Sequence, residues 1–171
     1  MYLAPFVAVF REQGRKETRV MTIRGSPGLP DDEYALFEGY CTDPKCDCRR
    51  VMLNVVGHNQ GDRPLASISF GFDRGADMAG PYVDPLNPRS RYADVLLRLV
   101  TEVLADPAYV VRLESHYRQF KRAAADPDDP AYETLRRIRL DEKRWEASGY
   151  APAPGARKTA GGPGKKKRRK K

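Results

Sequence analysis

The chain has 171 residues, 40% of them apolar, with a formal net charge of +8 and three cysteines. That is enough apolar material for one modest core and too much for a wholly disordered chain. Nine cations and no acid lie from Arg157 onward, which leaves 22 Lys and Arg against 23 Asp and Glu, or −1, in residues 1–156. A uniformly basic body is therefore excluded, and attraction to polyanions belongs to the C-terminal extension unless folding gathers scattered arginines onto one face.

The opening "MYLAPFVAVF" is apolar, but it has no basic leader region and is far too short to span a bilayer. It predicts a cytoplasmic protein, nuclear if the source is eukaryotic, with no membrane partner. An odd number of thiols agrees with a reducing compartment. Residues 2–11 and 16–24 are rich in strand formers and flank the polar "EQGRK", which predicts a first β-hairpin. From Tyr34 the pattern alternates, with Tyr34, Leu36, Glu38 and Tyr40 on one face, as a half-buried strand requires, and this strand ends at Cys41.

The turn "CTDPKCDC" follows, then a strand at 49–57, a connection "HNQGDRP", and an alternating strand at 65–72. Residues 73–87 have no clear period and predict a loop. Asn87-Pro88, Asp106-Pro107 and Asp129-Pro130 each place a capping side chain before a proline, predicting three helix starts. The first helix carries an apolar stripe through Tyr92, Leu96, Leu99, Val100 and Val103. The second, about 107–125, presents Val110, Leu113, Tyr117 and Phe120, and the third, about 130–148, has Leu135, Ile138 and Trp145 as anchors.

Beyond Tyr150 the chain is rich in Pro, Gly and cations, with no branched apolar or aromatic residue, which predicts disorder. These elements together predict an α+β fold. A single domain at 1–149 holds a mostly antiparallel sheet of about five strands with a zinc knuckle at one end, followed by about three helices. A disordered basic tail occupies 150–171.

Cys41, Cys46 and Cys48 fall within eight positions, in a C-x4-C-x-C arrangement. Thiolates are strong Zn2+ ligands and structural zinc is usually four-coordinate, so three of four ligands are supplied locally, around a turn promoted by Asp43 and Pro44. The chain has two histidines. His58 would lie on the order of 30 Å from Cys48 across an extended strand at about 3.3 Å per residue. His116, on the edge of the apolar face of the second helix, is the expected fourth ligand. Asp73, returned toward Arg49 by the hairpin, is its rival, and Asp43 and Asp47 are local alternatives. A closed thiolate-rich site predicts a structural rather than catalytic zinc.

Lys165, Lys166, Lys167, Arg168, Arg169, Lys170 and Lys171 form an unbroken cationic run. Such a run binds RNA, ribosomes or DNA through phosphates, falls off as salt rises, and lacks aromatics to read sequence. The stretch "YALFEGYCTDPKCDCRRVMLNVV", followed by "ESHYRQFK", resembles uncharacterised bacterial zinc-knuckle proteins with a Y-C-x4-C-x-C-R-R signature, related to SEC-C-motif-containing proteins. The resemblance implies metal ligation by Cys41, Cys46 and Cys48, and by His116. The "GPGKKKRRKK" ending is similar to part of a SEC-C tail but lacks all of its cysteines, so it implies no zinc there.

The functional expectation is a zinc-binding, non-enzymatic adaptor, with no small-molecule substrate identified and a protein partner as a further candidate. The alternative is a zinc-dependent hydrolase or thiol redox enzyme using the cysteines with Asp73, Asp77 and Asp84. Few general bases and no nucleophile motif weigh against it.

Overall fold

The computed structural model describes residues 3–61, 63–73, 75–76 and 79–147, without the side chains at 142 and 144–147. The expected Trp145 anchor and the whole basic tail lie outside what is described. The fold is α+β, with a six-stranded antiparallel sheet and five helices among the described residues.

The first 23 residues depart from the expected hairpin. β1 (Leu3–Pro5) leads into α1 (Phe6–Val9) and α2 (Arg11–Glu17), and β2 (Arg19–Ile23) follows. Both strands pair with β3 (Asp32–Cys41): β1 matches Leu3 to Cys41, and β2 matches Arg19 to Leu36 and Ile23 to Asp32. They thus lie end to end along one edge of β3, joined by helices rather than a turn. Gly14 explains the misreading. It is there for close approach, since a Cβ added to it would come within 2.7 Å of the Val7 Cα in α1.

The centre of the sheet follows the alternation. β3 pairs with β4 (Arg50–Gly57), β4 with β5 (Ala66–Gly71), and β5 with the short β6 (Tyr82–Val83). Strand residues Tyr34, Leu36, Tyr40, Val51, Leu53, Val55 and Ile68 are fully buried. They meet the helices on one face, so this layer contains the core.

α3 (Ala93–Leu104) begins five residues later than Asn87-Pro88 predicts. The Asn87 amide donates to Asp84 instead, closing a local turn, and the Ser90 hydroxyl accepts from the Tyr92 N–H at the real helix entrance. α4 (Pro107–Ala125) starts where expected, with the Asp106 carboxylate accepting from the Ala108 N–H at 3.0 Å. α5 (Tyr132–Ala147) follows a turn in which Asp129 accepts from the Ala131 N–H, and Leu135 is its fully buried anchor. Among the described residues no helix is long and apolar enough to cross a membrane.

Candidate metal centre

β3 delivers Cys41, buried, at its last position, and the chain then turns through residues 42–49 into β4. The Asp43 carboxylate accepts from the Lys45 N–H at 2.9 Å, and the Cys46 N–H donates to the Asp43 carbonyl at 3.3 Å. This folds the segment back on itself. Arg49 closes it with a positive φ of 39°, an uncommon conformation for a residue with a side chain. Its guanidinium is held by the Asp73 carboxylate at 2.8 and 3.0 Å and by Glu114 of α4 at 3.3 Å.

Two helices fix the turn from outside. Lys121 of α4 donates to the Asp43 carbonyl at 2.6 Å, and Arg139 of α5 donates to the Thr42 carbonyl at 3.3 Å. The result is that the ligand atoms of Cys41, Cys46 and Cys48 all lie within 4.8 Å of one another. A tetrahedral ion with bonds of about 2.3 Å would set its sulfurs about 3.8 Å apart, so the three thiols are close enough to hold a metal.

Burial, first of all, pushes the Cys48 thiol up to about 12, with the hydrogen bond to Cys46 and the neighbouring thiols adding to it. Burial likewise raises Cys41, while Lys121 pulls it the other way. A redox or nucleophilic cysteine needs the opposite, a thiol whose ionisation is made easy. Crowding and burial disfavour ionisation of such thiols unless a cation lies among them, and a divalent metal ion would supply that charge.

His116, the expected fourth ligand, stands apart from the three sulfurs. It is 2% exposed, its Nδ1 lies 2.7 Å from Glu38 Oε2 of β3, and its Nε2 lies 2.5 Å from Glu17 Oε2 of α2. With a carboxylate at each nitrogen, the ring satisfies both partners only as the doubly protonated imidazolium. Burial pulls its pKa down, but the hydrogen bonds and charges of Glu38 and Glu17 outweigh this and hold it above the ordinary value. The Tyr40 hydroxyl donates to the same Glu38 oxygen at 2.8 Å.

The other candidates are also placed. Asp73 is engaged by Arg49, the Asp43 carboxylate caps its own turn, and Asp47 is exposed. His58 is exposed at the far end of β4 from the thiols. Asp77 and the cations at 165–171 lie outside the described residues. Among the described residues no histidine or carboxylate joins the three sulfurs.

Sequence reasoning missed Glu17 and Glu38 as the partners of His116, and Lys121 and Arg139 as the clamps on the turn. One signal was available: Glu38 falls on the inward face of β3 between Leu36 and Tyr40, where a buried carboxylate needs a partner. Comparison with protein-family models, with curated proteins and with solved structures finds no match to the chain.

Proposed function

We infer that the protein is a zinc-stapled, non-enzymatic binding protein, in which a thiolate centre formed by Cys41, Cys46 and Cys48 locks the end of β3 to the start of β4. The observation that carries this reading is the gathering of three sulfurs within 4.8 Å in a turn clamped by α4 and α5. Zn2+ suits an all-sulfur donor set of this kind better than Mg2+ or Ca2+, which take oxygen. The kinship with Y-C-x4-C-x-C-R-R zinc-knuckle proteins belongs to this proposal. So does a salt-sensitive anchor on RNA, ribosomes or DNA through the cations at 165–171.

The test is the metal-to-protein ratio of tag-free protein purified without added zinc. One zinc per chain is expected, lost in Cys41→Ser, Cys46→Ser and Cys48→Ser and retained in His116→Ala. Absence of metal in the wild type would overturn the reading.

A second reading, a zinc-dependent hydrolase, is favoured by one observation: among the described residues no fourth donor closes the centre. A three-ligand zinc keeps a position for water. Cobalt-substituted protein separates the two, because visible bands that shift on adding a competing anion mark an open position, and bands that do not shift mark a closed structural site.

A further inference from the structure

A groove of about 480 Å3 opens between the thiol turn at 42–45 and α5. From the helix it takes Arg136, Arg139, Leu140 and Lys143, and from the turn Lys45. Positions 136, 139, 140 and 143 follow the spacing that puts side chains on one helical face. Residues 1–156 carry a net charge of −1, yet among the described residues four cations line this groove against a single carboxylate, Asp43. Folding has therefore brought Lys45 of the turn against a basic face of α5.

The cations differ in their engagement. Arg139 is fixed by the carbonyls of Thr42 and Ala124 at 3.3 and 3.2 Å and lies over the Tyr132 ring, with no carboxylate partner among the described residues. Arg136 shares Glu133 at 3.1 Å on the exposed side of the helix. Lys45 and Lys143 are exposed, and neither pairs with a carboxylate among the described residues. The Asp43 carboxylate is occupied by the Lys45 N–H. Thr42 also lines the groove, and its buried hydroxyl has no partner among the described residues.

We propose that the groove between the thiol turn and α5 is a binding track for the phosphate backbone of a nucleic acid. Arg136 to Lys143 spans about 10.5 Å along the helix, a row that follows a chain of phosphates rather than closing around a single one. Among the described residues no aromatic side chain lines the groove to stack on bases, so the contacts they offer hold the backbone and do not read sequence. An acidic peptide fits less well, because among the described residues Pro44 and Leu140 are the only apolar side chains offered. The chain's own basic extension is repelled from it. This site rests on the reading of the protein as a polyanion binder and moves part of that binding from the tail into the folded body.

The test uses the full chain in four forms: wild type, glutamine at every position of 165–171, Lys45→Gln with Lys143→Gln, and the two sets combined. Binding to a 20-nucleotide RNA and to a 20-base-pair DNA is followed by fluorescence anisotropy across a salt series, with polyglutamate as a third probe. Zinc content and melting temperature confirm that the exposed lysine changes leave the fold intact. The tail-substituted chain should still bind. Adding the two lysine changes should weaken it about fivefold at low salt and reduce the salt slope by about 1.4 on RNA or 1.8 on duplex DNA.

Equal affinity and slope with and without the lysine changes would overturn the groove. So would complete loss of binding on tail substitution alone, or an effect confined to polyglutamate. The tail fails separately, if its substitution changes nothing while the groove substitutions do.

Discussion

The His116 ring lies flat on Phe6, with centroids 4.1 Å apart and planes 13° from parallel. An imidazolium against an aromatic face is electrostatically favourable, and here the pair also joins α4 to α1. With Glu17 from α2 and Glu38 from β3 at its two nitrogens, His116 ties four segments of the chain to one point.

Replacing that ring should be expensive. His116→Gln leaves Glu38, 6% exposed, without its cationic partner, and a loss of about 3 kcal/mol is expected from chemical denaturation. Metal content should not change, which separates this role from ligation.

The same cluster gives stability a pH dependence with a definite sign. His116 titrates above its ordinary 6.5 in the fold, so its contribution is complete below 6.5 and is lost as pH rises through the raised value. For Glu17, burial pushes the pKa up, but hydrogen bonds from His116 and Gln13 and nearby positive charge bring it below 4.5; its contribution holds above 4.5 and is lost as pH falls through the lowered value. Urea midpoints measured between pH 5.5 and 9 should fall more steeply for wild type than for His116→Gln. Parallel profiles would remove His116 as the titrating group.

Gly14→Ala should destabilise by about 1–3 kcal/mol, because the added methyl meets the Val7 backbone in α1. Displacement of α2 carries Glu17 away from His116, so hydrogen exchange should quicken in α1 and α2 before it does in β4. A protein of wild-type stability would show that the two helices separate without cost.

Metal removal should loosen the turn while sparing the sheet. A chelator strong enough to strip zinc is expected to lower Tm by about 5–10 °C, at about 2–4 °C per kcal/mol for a chain of this size. Exchange and alkylation should rise at residues 41–48. Far-UV circular dichroism should be nearly unchanged, because the buried side chains of Leu36, Leu53, Ile68 and Leu113 do not depend on the ion.

Leu135→Ala should cost about 2–4 kcal/mol, since Leu135 is the fully buried residue that anchors α5. If α5 forms one wall of a phosphate track, its loosening should also weaken RNA binding in the tail-substituted chain. Unaltered affinity would place binding elsewhere.

What could be read from sequence alone followed local pattern. β3, β4 and β5 alternate cleanly because one face is buried, and α4 announces itself through Asp106-Pro107. Local pattern misled at two places: Gly14 looked like a turn and is a tertiary contact, and Asn87 looked like a helix cap and instead closes a local turn with Asp84. The thiols were legible because they are neighbours in sequence. The surroundings of His116 were not, since Glu17 and Glu38 lie 99 and 78 residues away. The groove is another product of distance, formed where a turn near residue 44 meets a helix that begins at 132.

The end-to-end placement of β1 and β2 along β3 also bears on how the molecule behaves when crowded. On that side the outermost backbone is broken into runs of three and five residues by two helices, and on the other side β6 offers only two. Among the described residues neither margin presents the long, flat row of unpaired amides and carbonyls that recruits strands from neighbouring molecules. The helical detour at the start of the chain thus guards against fibrous self-association, a hazard that an unbroken hairpin in the same place would have left open.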